Sequence, residues 1–240
     1  MRRVFLTRKD KYLLRDYTII KHIPHASIEL PYESNIIPSI IFGEDYMVQA
    51  LKMADLCVDQ LFKYLDGIEI KAKYSRLYCD VERYKDDNLE PMARYGQGYM
   101  YTRSLDGKRA YRRHYSLWPY DPDGDVDKYY DSYHKEFTRV TKRVIASGKK
   151  ALILDLHSFS EEQASLIGNT APYPDICIGI NEDHYDKEIL ELIIHKIEIL
   201  GYSYKINYPY SGSIIPNHLS KKELDKVCSI MIEVNKRIYL

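Results

Sequence analysis

The apolar run Ala-Leu-Ile-Leu-Asp-Leu at 151–156 is the feature that most limits how this chain can fold. Such a run is typical of a strand covered on both faces, as the strands of parallel sheets are. An amphipathic helix is predicted just before it, at 126–147, and Gly148 is placed to end that helix. A helix that leads into a buried strand is the repeating unit of an α/β domain.

The same alternation continues along the chain. Further strands are predicted at 18–22, 68–72, 77–81, 176–180, 202–206 and 227–234, and further helices at 44–65 and 186–200. This order favours a single α/β domain over residues 1–240, with a mixed, mainly parallel central sheet flanked by helices. A polar, loop-rich insertion at about 84–125 interrupts this order of strands and helices. Loops of this length inside a compact domain often carry functional residues.

Composition limits the partners and the location of the protein. Lys plus Arg and Asp plus Glu both number 35, and this balance argues against a general nucleic-acid binder. No segment is suited to spanning a bilayer, and the charged N-terminus lacks the apolar run of a signal peptide. The four cysteines are widely spaced, which excludes a zinc ribbon and fits free thiols. We therefore expect a soluble, cytoplasmic protein with no membrane or nucleic-acid partner.

Several predicted strands end in side chains that can do chemistry. His22 and His25 follow the first strand, His157 follows the 151–156 run, and Glu233 lies on the last strand. In open α/β sheets functional groups gather beyond the carboxyl ends of strands, so these side chains are candidates for one cleft. Two histidines and one carboxylate, with an open fourth position, form the ligand set of a hydrolytic zinc site.

Seven segments then occur in order along nearly the whole chain. They are His-Ile-Pro-His at 22–25, Tyr-Ser-Arg-Leu-Tyr-Cys-Asp-Val-Glu-Arg-Tyr at 74–84, Glu-Pro-Met-Ala at 90–93, Asp-Leu-His-Ser-Phe-Ser at 155–160, Pro-Asp-Ile-Cys-Ile-Gly at 174–179, Asn-Tyr-Pro-Tyr-Ser-Gly-Ser at 207–213 and Ile-Met-Ile-Glu-Val-Asn-Lys-Arg at 230–237. In this order the sequence resembles the N-formylglutamate amidohydrolase family.

The resemblance implies a zinc hydrolase with the phosphorylase/hydrolase-like fold of the metallocarboxypeptidases and one zinc ion. His25 and His157 then stand for the two imidazole ligands, and Glu233 for the general base. Arg83 stands where the wider group has an Asn-Arg pair that grips a substrate carboxylate, and here Glu82 replaces the Asn.

The third metal ligand stays open at this point. The glutamate expected three residues past His25 is absent, because that position is Ile28. Asp55, which borders the apolar stripe of the predicted 44–65 helix, is the first choice, although a solvated or helix-capping Asp55 fits equally well. Glu82 and His22 are the other candidates, and His22 can equally support a liganded side chain without binding the metal.

Other polar side chains are candidate substrate contacts. Arg76 is expected to stabilise the oxyanion, and the alternative is that Arg76 and Arg83 pair with Asp80 and Glu82. His134 is expected either in the cleft or on the surface. The remaining candidates lie on one Pro/Gly-shaped turn, which also fits an ordinary turn: Asn207, Ser211 and Ser213.

The implied reaction is hydrolysis of an N-acyl amino acid, with N-formylglutamate as the type case. Zinc activates water, and Glu233 takes the proton and passes it to the leaving nitrogen. The Arg-rich segment 101–113 is a hypothetical lid that selects an acidic side chain. Two alternatives stay open: a zinc carboxypeptidase or amidase acting on a peptide or peptidoglycan-like substrate, and a non-catalytic binder of single-stranded nucleic acid that uses the Tyr and Arg residues of 94–115. The oligomeric state stays open too.

Overall fold

The computed structural model describes residues 8–31, 46–105, 107 and 124–240. Contacts along the chain separate two compact units. Unit 1 takes the described residues of Met1–Ile23, Cys57–Lys71 and Phe137–Leu240, and unit 2 takes those of Pro24–Leu56 and Ala72–Glu136.

Unit 1 is built on a six-stranded sheet. Its strands are β1 (Tyr17–Ile23), β2 (Ile68–Lys71), β3 (Lys150–Phe159), β4 (Ile176–Ile180), β5 (Tyr204–Ile206) and β6 (Val227–Asn235). The spatial order within the described residues is β2-β1-β3-β6-β4-β5. Strands β2, β1, β3 and β6 are mutually parallel, whereas β4 is antiparallel to β6 and carries β5 parallel to itself. The prediction of a mixed, mainly parallel sheet in an α/β fold is confirmed.

Helices alternate with these strands along the chain. They are α1 (Arg8–Leu13), α2 (Tyr46–Met53), α3 (Val58–Leu61), α4 (Asp125–Ala146), α5 (Glu161–Leu166), α6 (Lys187–Ile199) and α7 (Lys221–Leu224). The α6 helix begins after Asp186, whose carboxylate accepts hydrogen bonds from the amides of Glu188 and Ile189. Gly148 and Gly201 follow α4 and α6 with φ angles of 87° and 78°, a left-handed conformation that glycine adopts without steric cost. Both helices therefore lie close to their predicted ranges.

The helix predicted over 44–65 is wrong as a continuous element, and its first two residues lie outside the described residues. The helix ends at Met53, and the N–H of Asp55 donates to the carbonyl of His25 at 2.8 Å instead of continuing the helical ladder. Cys57 then has a φ of 63°, which an α-helix does not allow. Asp55 consequently lies in the break between α2 and α3, and not on a helix face.

The strand predicted over 77–81 is also wrong. Leu77 and Val81 are buried as the apolar run implies, but the segment forms turns. The carbonyl of Ser75 accepts from the amides of Tyr78 and Cys79, and the amide of Asp80 donates to the carbonyl of Tyr99 at 2.7 Å, so these bonds replace a strand ladder. An apolar run indicates burial, and burial alone does not specify a strand.

The loop-rich insertion predicted over 84–125 is irregular where it is described. A short 3-10 helix covers Pro91–Tyr95, capped by the Glu90 carboxylate, and an isolated bridge joins Gln97 to Tyr101. The hypothetical lid at 101–113 falls mostly on residues 106 and 108–123, which lie outside the described residues.

Candidate metal-binding and catalytic residues

Neighbouring strands of unit 1 bring four polar side chains to one face of the sheet. His22 on β1 is in register with Asp155 on β3, and His157 on β3 is in register with Glu233 on β6. Asp155 and His157 are two residues apart, and side chains at that spacing share a face. The four side chains are buried, with Glu233 the most accessible at 8%. The predicted ligand His157 and the predicted base Glu233 therefore lie side by side.

Asp155 is the centre of the hydrogen bonds on this face. Its Oδ1 lies 2.7 Å from His22 Nδ1 and 2.9 Å from His157 Nε2, and its Oδ2 accepts from the amide of Ile214 at 3.2 Å. Burial by itself raises the pKa of Asp155, but the charge and hydrogen bonds of His157 and His22 outweigh it and hold the pKa well below its ordinary value. An ionised carboxylate only accepts hydrogen bonds, so both imidazoles donate to it.

This arrangement has the chemistry of a metal site. His22, Asp155 and His157 each offer a ligand atom, and these atoms lie within 4.8 Å of one another. Imidazole nitrogens and carboxylate oxygens are the zinc ligands most often paired in hydrolytic sites. Asp155 was not among the predicted site residues. The one signal that marks it in the sequence is a carboxylate inside an otherwise apolar strand.

In unit 2, His25 lies among three carboxylates. Its Nε2 is 2.8 Å from Asp80 Oδ1, while its Nδ1 is 3.6 Å from Asp55 Oδ2 and 3.7 Å from Glu82 Oε2. His25, Asp55 and Asp80 are buried, and Glu82 is partly buried. Two of the three carboxylates, Asp55 and Glu82, are the predicted candidates for the third ligand.

These separations suit a divalent cation. Two ligand atoms bound tetrahedrally at about 2.05 Å from a zinc ion are about 3.3 Å apart. The distances from His25 Nδ1 to Asp55 and Glu82 are close to that value and too long for hydrogen bonds. Each unit thus contains buried histidine and carboxylate side chains, which are the residue types that bind zinc.

Asp80 organises the predicted arginines of unit 2. Arg76 donates from Nε and Nη2 to Asp80 Oδ2 at 3.1 and 2.7 Å, and the hydroxyl of Tyr101 donates to the same oxygen at 2.8 Å. Arg83 Nε lies 3.7 Å from Asp80 Oδ2 and 3.9 Å from Glu90 Oε1. Burial alone raises the pKa of Asp80, but the charges of Arg76, His25 and Arg83 hold it well below its ordinary value. The predicted pairing of arginine with a nearby acidic residue is therefore present at Asp80.

The predicted substrate contacts on the 207–213 turn differ in their partners. Asn207 adopts a φ of 54°, and its Oδ1 accepts from the amides of Ile180 and Gly212 at 2.9 and 3.4 Å. Ser213 Oγ lies 2.6 Å from Ser229 Oγ, and Ser211 is exposed. The observed bonds of Asn207 and Ser213 are those of a rigid turn, and the role of these residues toward substrate stays a prediction.

His134 lies in the middle of α4. Its Nε2 is 2.8 Å from the carbonyl oxygen of Val81, and its ring lies 4.3 Å from that of Tyr130. The side chain is partly buried, so it is not a fully exposed surface histidine. It ties α4 to the turns around Val81, and its role toward substrate stays a prediction.

Comparison with known proteins decides the family. A family profile described as N-formylglutamate amidohydrolase matches residues 17–240. The chain belongs to the N-formylglutamate amidohydrolase family. The resemblance seen in the sequence is confirmed, and membership of this family supports an amidohydrolase function.

Two solved structures share the fold of this family member. A crystal structure of N-formylglutamate amidohydrolase from Ralstonia eutropha is 18% identical, with a TM-score of 0.71, covering 92% of this chain and 83% of that chain. A gene product from Agrobacterium tumefaciens is 15% identical, with a TM-score of 0.61, covering 92% of this chain and 80% of that chain. A comparison with curated proteins finds no match. Among the described residues, no helix is both long enough and apolar enough to cross a membrane.

Proposed function

We propose that this family member is a zinc-dependent amidohydrolase that releases the acyl group of an N-acyl amino acid, with N-formylglutamate as the type substrate. The observation that carries the proposal is the family match over residues 17–240, because every residue assigned a role below lies inside it. Location in the cytoplasm, a small-molecule substrate and a single domain over residues 1–240 remain predictions from the sequence.

His25, Asp55 and His157 are the proposed ligands of one zinc ion, with Glu82 the alternative to Asp55. The donor types support this, since neutral imidazole and carboxylate are zinc ligands and each of the first three is buried. When bound, zinc polarises the acyl carbonyl and makes water a nucleophile at neutral pH.

Glu233 is the proposed general base. Its carboxylate takes a proton from the attacking water and delivers it to the leaving nitrogen when the amide bond breaks. Its register with His157 on neighbouring parallel strands supports this role, because a proton acceptor must lie close to the atoms that react.

Arg76 and the remaining polar residues are proposed to bind the substrate. Arg76 donates one hydrogen bond from Nε and one from Nη2 to Asp80. A guanidinium has about five N–H donors, so Arg76 has others to offer the oxyanion that forms at the acyl carbon. Arg83, whose side chain is 22% exposed, is placed to grip a substrate carboxylate. The proposed contacts to the amino-acid part are Arg83, Glu82, Asn207, Ser211, Ser213 and His134.

Metal analysis of the purified protein tests the ligand assignment. We expect one zinc ion per chain in the parent and loss of zinc in His25→Ala and His157→Ala. His195→Ala is the matched control, since His195 is exposed on α6 and is expected to leave zinc content unchanged. Zinc retained at the parent stoichiometry in both site variants would contradict the assignment.

A substrate panel tests the reaction. Release of formate from N-formyl-L-glutamate is compared with hydrolysis of other N-formyl amino acids, N-acetyl-L-glutamate and short peptides. Glu233→Gln is expected to lower kcat by about 10²-fold or more while zinc stays bound, because the variant loses the proton acceptor and keeps the ligands. Faster cleavage of peptides than of every N-acyl amino acid would instead favour a carboxypeptidase or peptide amidase.

A further inference from the structure

We propose that Asp155 is a positioning residue that holds His157 so that its Nδ1 faces the metal, and that His22 holds Asp155 in turn. The inference rests on the proposed function, in which His157 is a zinc ligand. Of the two roles that the sequence left open for His22, ligand or support, it selects the support.

The first argument is the orientation of the His157 ring. Its Nε2 lies 2.9 Å from Asp155 Oδ1, and because a carboxylate only accepts, we assign the proton of the neutral imidazole to Nε2. Nδ1 then carries the lone pair, which is the atom a divalent cation binds. Without this acceptor the neutral ring divides between two tautomers, and only one of them presents Nδ1.

The second argument is that the Asp155 carboxylate is held at both oxygens. Oδ1 accepts from His22 as well as from His157, and Oδ2 accepts from the amide of Ile214. The side chain is 2% exposed, so no bulk water competes for these bonds. A carboxylate held by three donors cannot rotate without losing at least one of them, and its direction fixes that of His157.

The third argument concerns His22. Its ring is fully buried and stacks on Phe137 at 4.8 Å with an interplanar angle of 21°. Its Nδ1 lies 2.7 Å from Asp155 Oδ1, and backbone pairing of β1 with β3 places the two residues in register. Stacking on Phe137 and the pairing of β1 with β3 therefore set the direction in which His22 donates to Asp155.

Zinc affinity of the Asp155→Asn variant tests the proposal. The amide oxygen of Asn can accept from both imidazoles, but Asn carries no charge and its NH2 group would then face the Ile214 amide donor in place of Oδ2. The side chain is therefore no longer held in one direction, and we expect zinc to bind about 10–100-fold more weakly. Competition with a chromophoric chelator measures the dissociation constant. Asp183→Asn, a matched change at an exposed position, is expected to leave it unchanged. An Asp155→Asn affinity equal to that of the parent overturns the proposal.

A spectroscopic measurement on the metal-free protein separates positioning from general support of the fold. Long-range proton–nitrogen NMR of the imidazoles is expected to show His157 protonated at Nε2 in the parent, and a mixture of tautomers in Asp155→Asn. Protonation of His157 at Nδ1 in the parent would overturn the proposal. This measurement needs no zinc, so it tests the orientation of His157 separately from the proposed zinc-dependent activity.

The His22→Phe variant provides a second test that does not alter the carboxylate. Phenylalanine keeps the stacking on Phe137 and removes the donor, so zinc affinity is expected to fall several-fold with His157 still bound to Asp155. If Asp155→Asn fails to fold, an unchanged affinity in His22→Phe overturns the proposal. If His157→Ala binds zinc as tightly as the parent, His157 is no ligand, and both the proposed ligand set and this inference fall.

Discussion

Replacement of Gly179 by alanine tests whether the 207–214 segment is held rigidly against the sheet. Gly179 lies in β4, and a Cβ added there would overlap the backbone carbonyl of Gly212 by about 1 Å and lie 3.0 Å from Met231 Cβ. The methionine tip can rotate away, but the Gly212 carbonyl belongs to a turn held by Asn207 and by Ser213. The overlap can be relieved only by moving backbone.

The expected cost is at the upper end of the range for overpacking, about 3 kcal/mol. For a chain of this length each kcal/mol lowers Tm by about 2–4 °C, so Tm should fall by about 6–12 °C. Gly168→Ala is the control, since its Cβ would meet nothing within 4 Å and its cost is limited to the φ of 92°. That strain is about 1–2 kcal/mol, which corresponds to a smaller fall in Tm.

Thermal unfolding followed by circular dichroism, at fixed protein concentration and saturating zinc, gives both Tm values. We expect Gly179→Ala also to weaken zinc binding, because the displaced turn carries the Ile214 amide that donates to Asp155. A Tm for Gly179→Ala within about 2 °C of the parent would show that the turn yields easily, and the argument for a rigid segment would fail.

Three further predictions concern stability and thiol reactivity. Burial by itself raises the pKa of Asp175, but hydrogen bonds from Arg237 and from Ser203 together outweigh burial and hold the pKa below its ordinary value. A lowered folded pKa stabilises the protein above about pH 4, so the denaturant-measured free energy of unfolding should fall more steeply below pH 4 in the parent than in Asp175→Asn. Asp186→Ala removes the α6 cap and the partner of the Tyr17 hydroxyl, and should cost about 2 kcal/mol in urea unfolding, whereas Tyr17→Phe should cost about 1 kcal/mol. In native protein a thiol reagent should label Cys57 rapidly and the three buried cysteines only after denaturation, and labelling that persists in Cys57→Ser would contradict this.

Several strands and helices follow from the sequence because the local spacing of apolar residues reflects which side chains are buried. The apolar run in β3 and the amphipathic pattern of α4 and α6 gave their positions to within a few residues, and glycines marked both helix ends. The same signal failed at 77–81, where an apolar run is buried in turns, and at 44–65, where Asp55 bonds to His25 and interrupts the helix. Both failures occur where a backbone partner outside the local pattern replaces the regular ladder.

The site shows the same division. His25, His157 and Glu233 were predicted from strand ends and from family resemblance, and Arg76 and Arg83 from the 74–84 segment. The two carboxylates that accept several hydrogen bonds were not predicted as site residues. Asp155 was not singled out at all, and Asp80 was named only as a pairing partner for arginine. Each is a carboxylate in an apolar run, and its importance depends on which donors reach it.

The sequence by itself determined the class of fold, the family and the identity of the chemically capable side chains, because residue type and spacing are properties of the chain. The tertiary structure alone decided that Asp155 joins His22 to His157 and that Asp80 joins His25 to Arg76. His22 and Asp155 are 133 positions apart in the chain, and His25 and Asp80 are 55 apart. Hydrogen bonds over such separations depend on strand register and loop closure, which local periodicity does not contain.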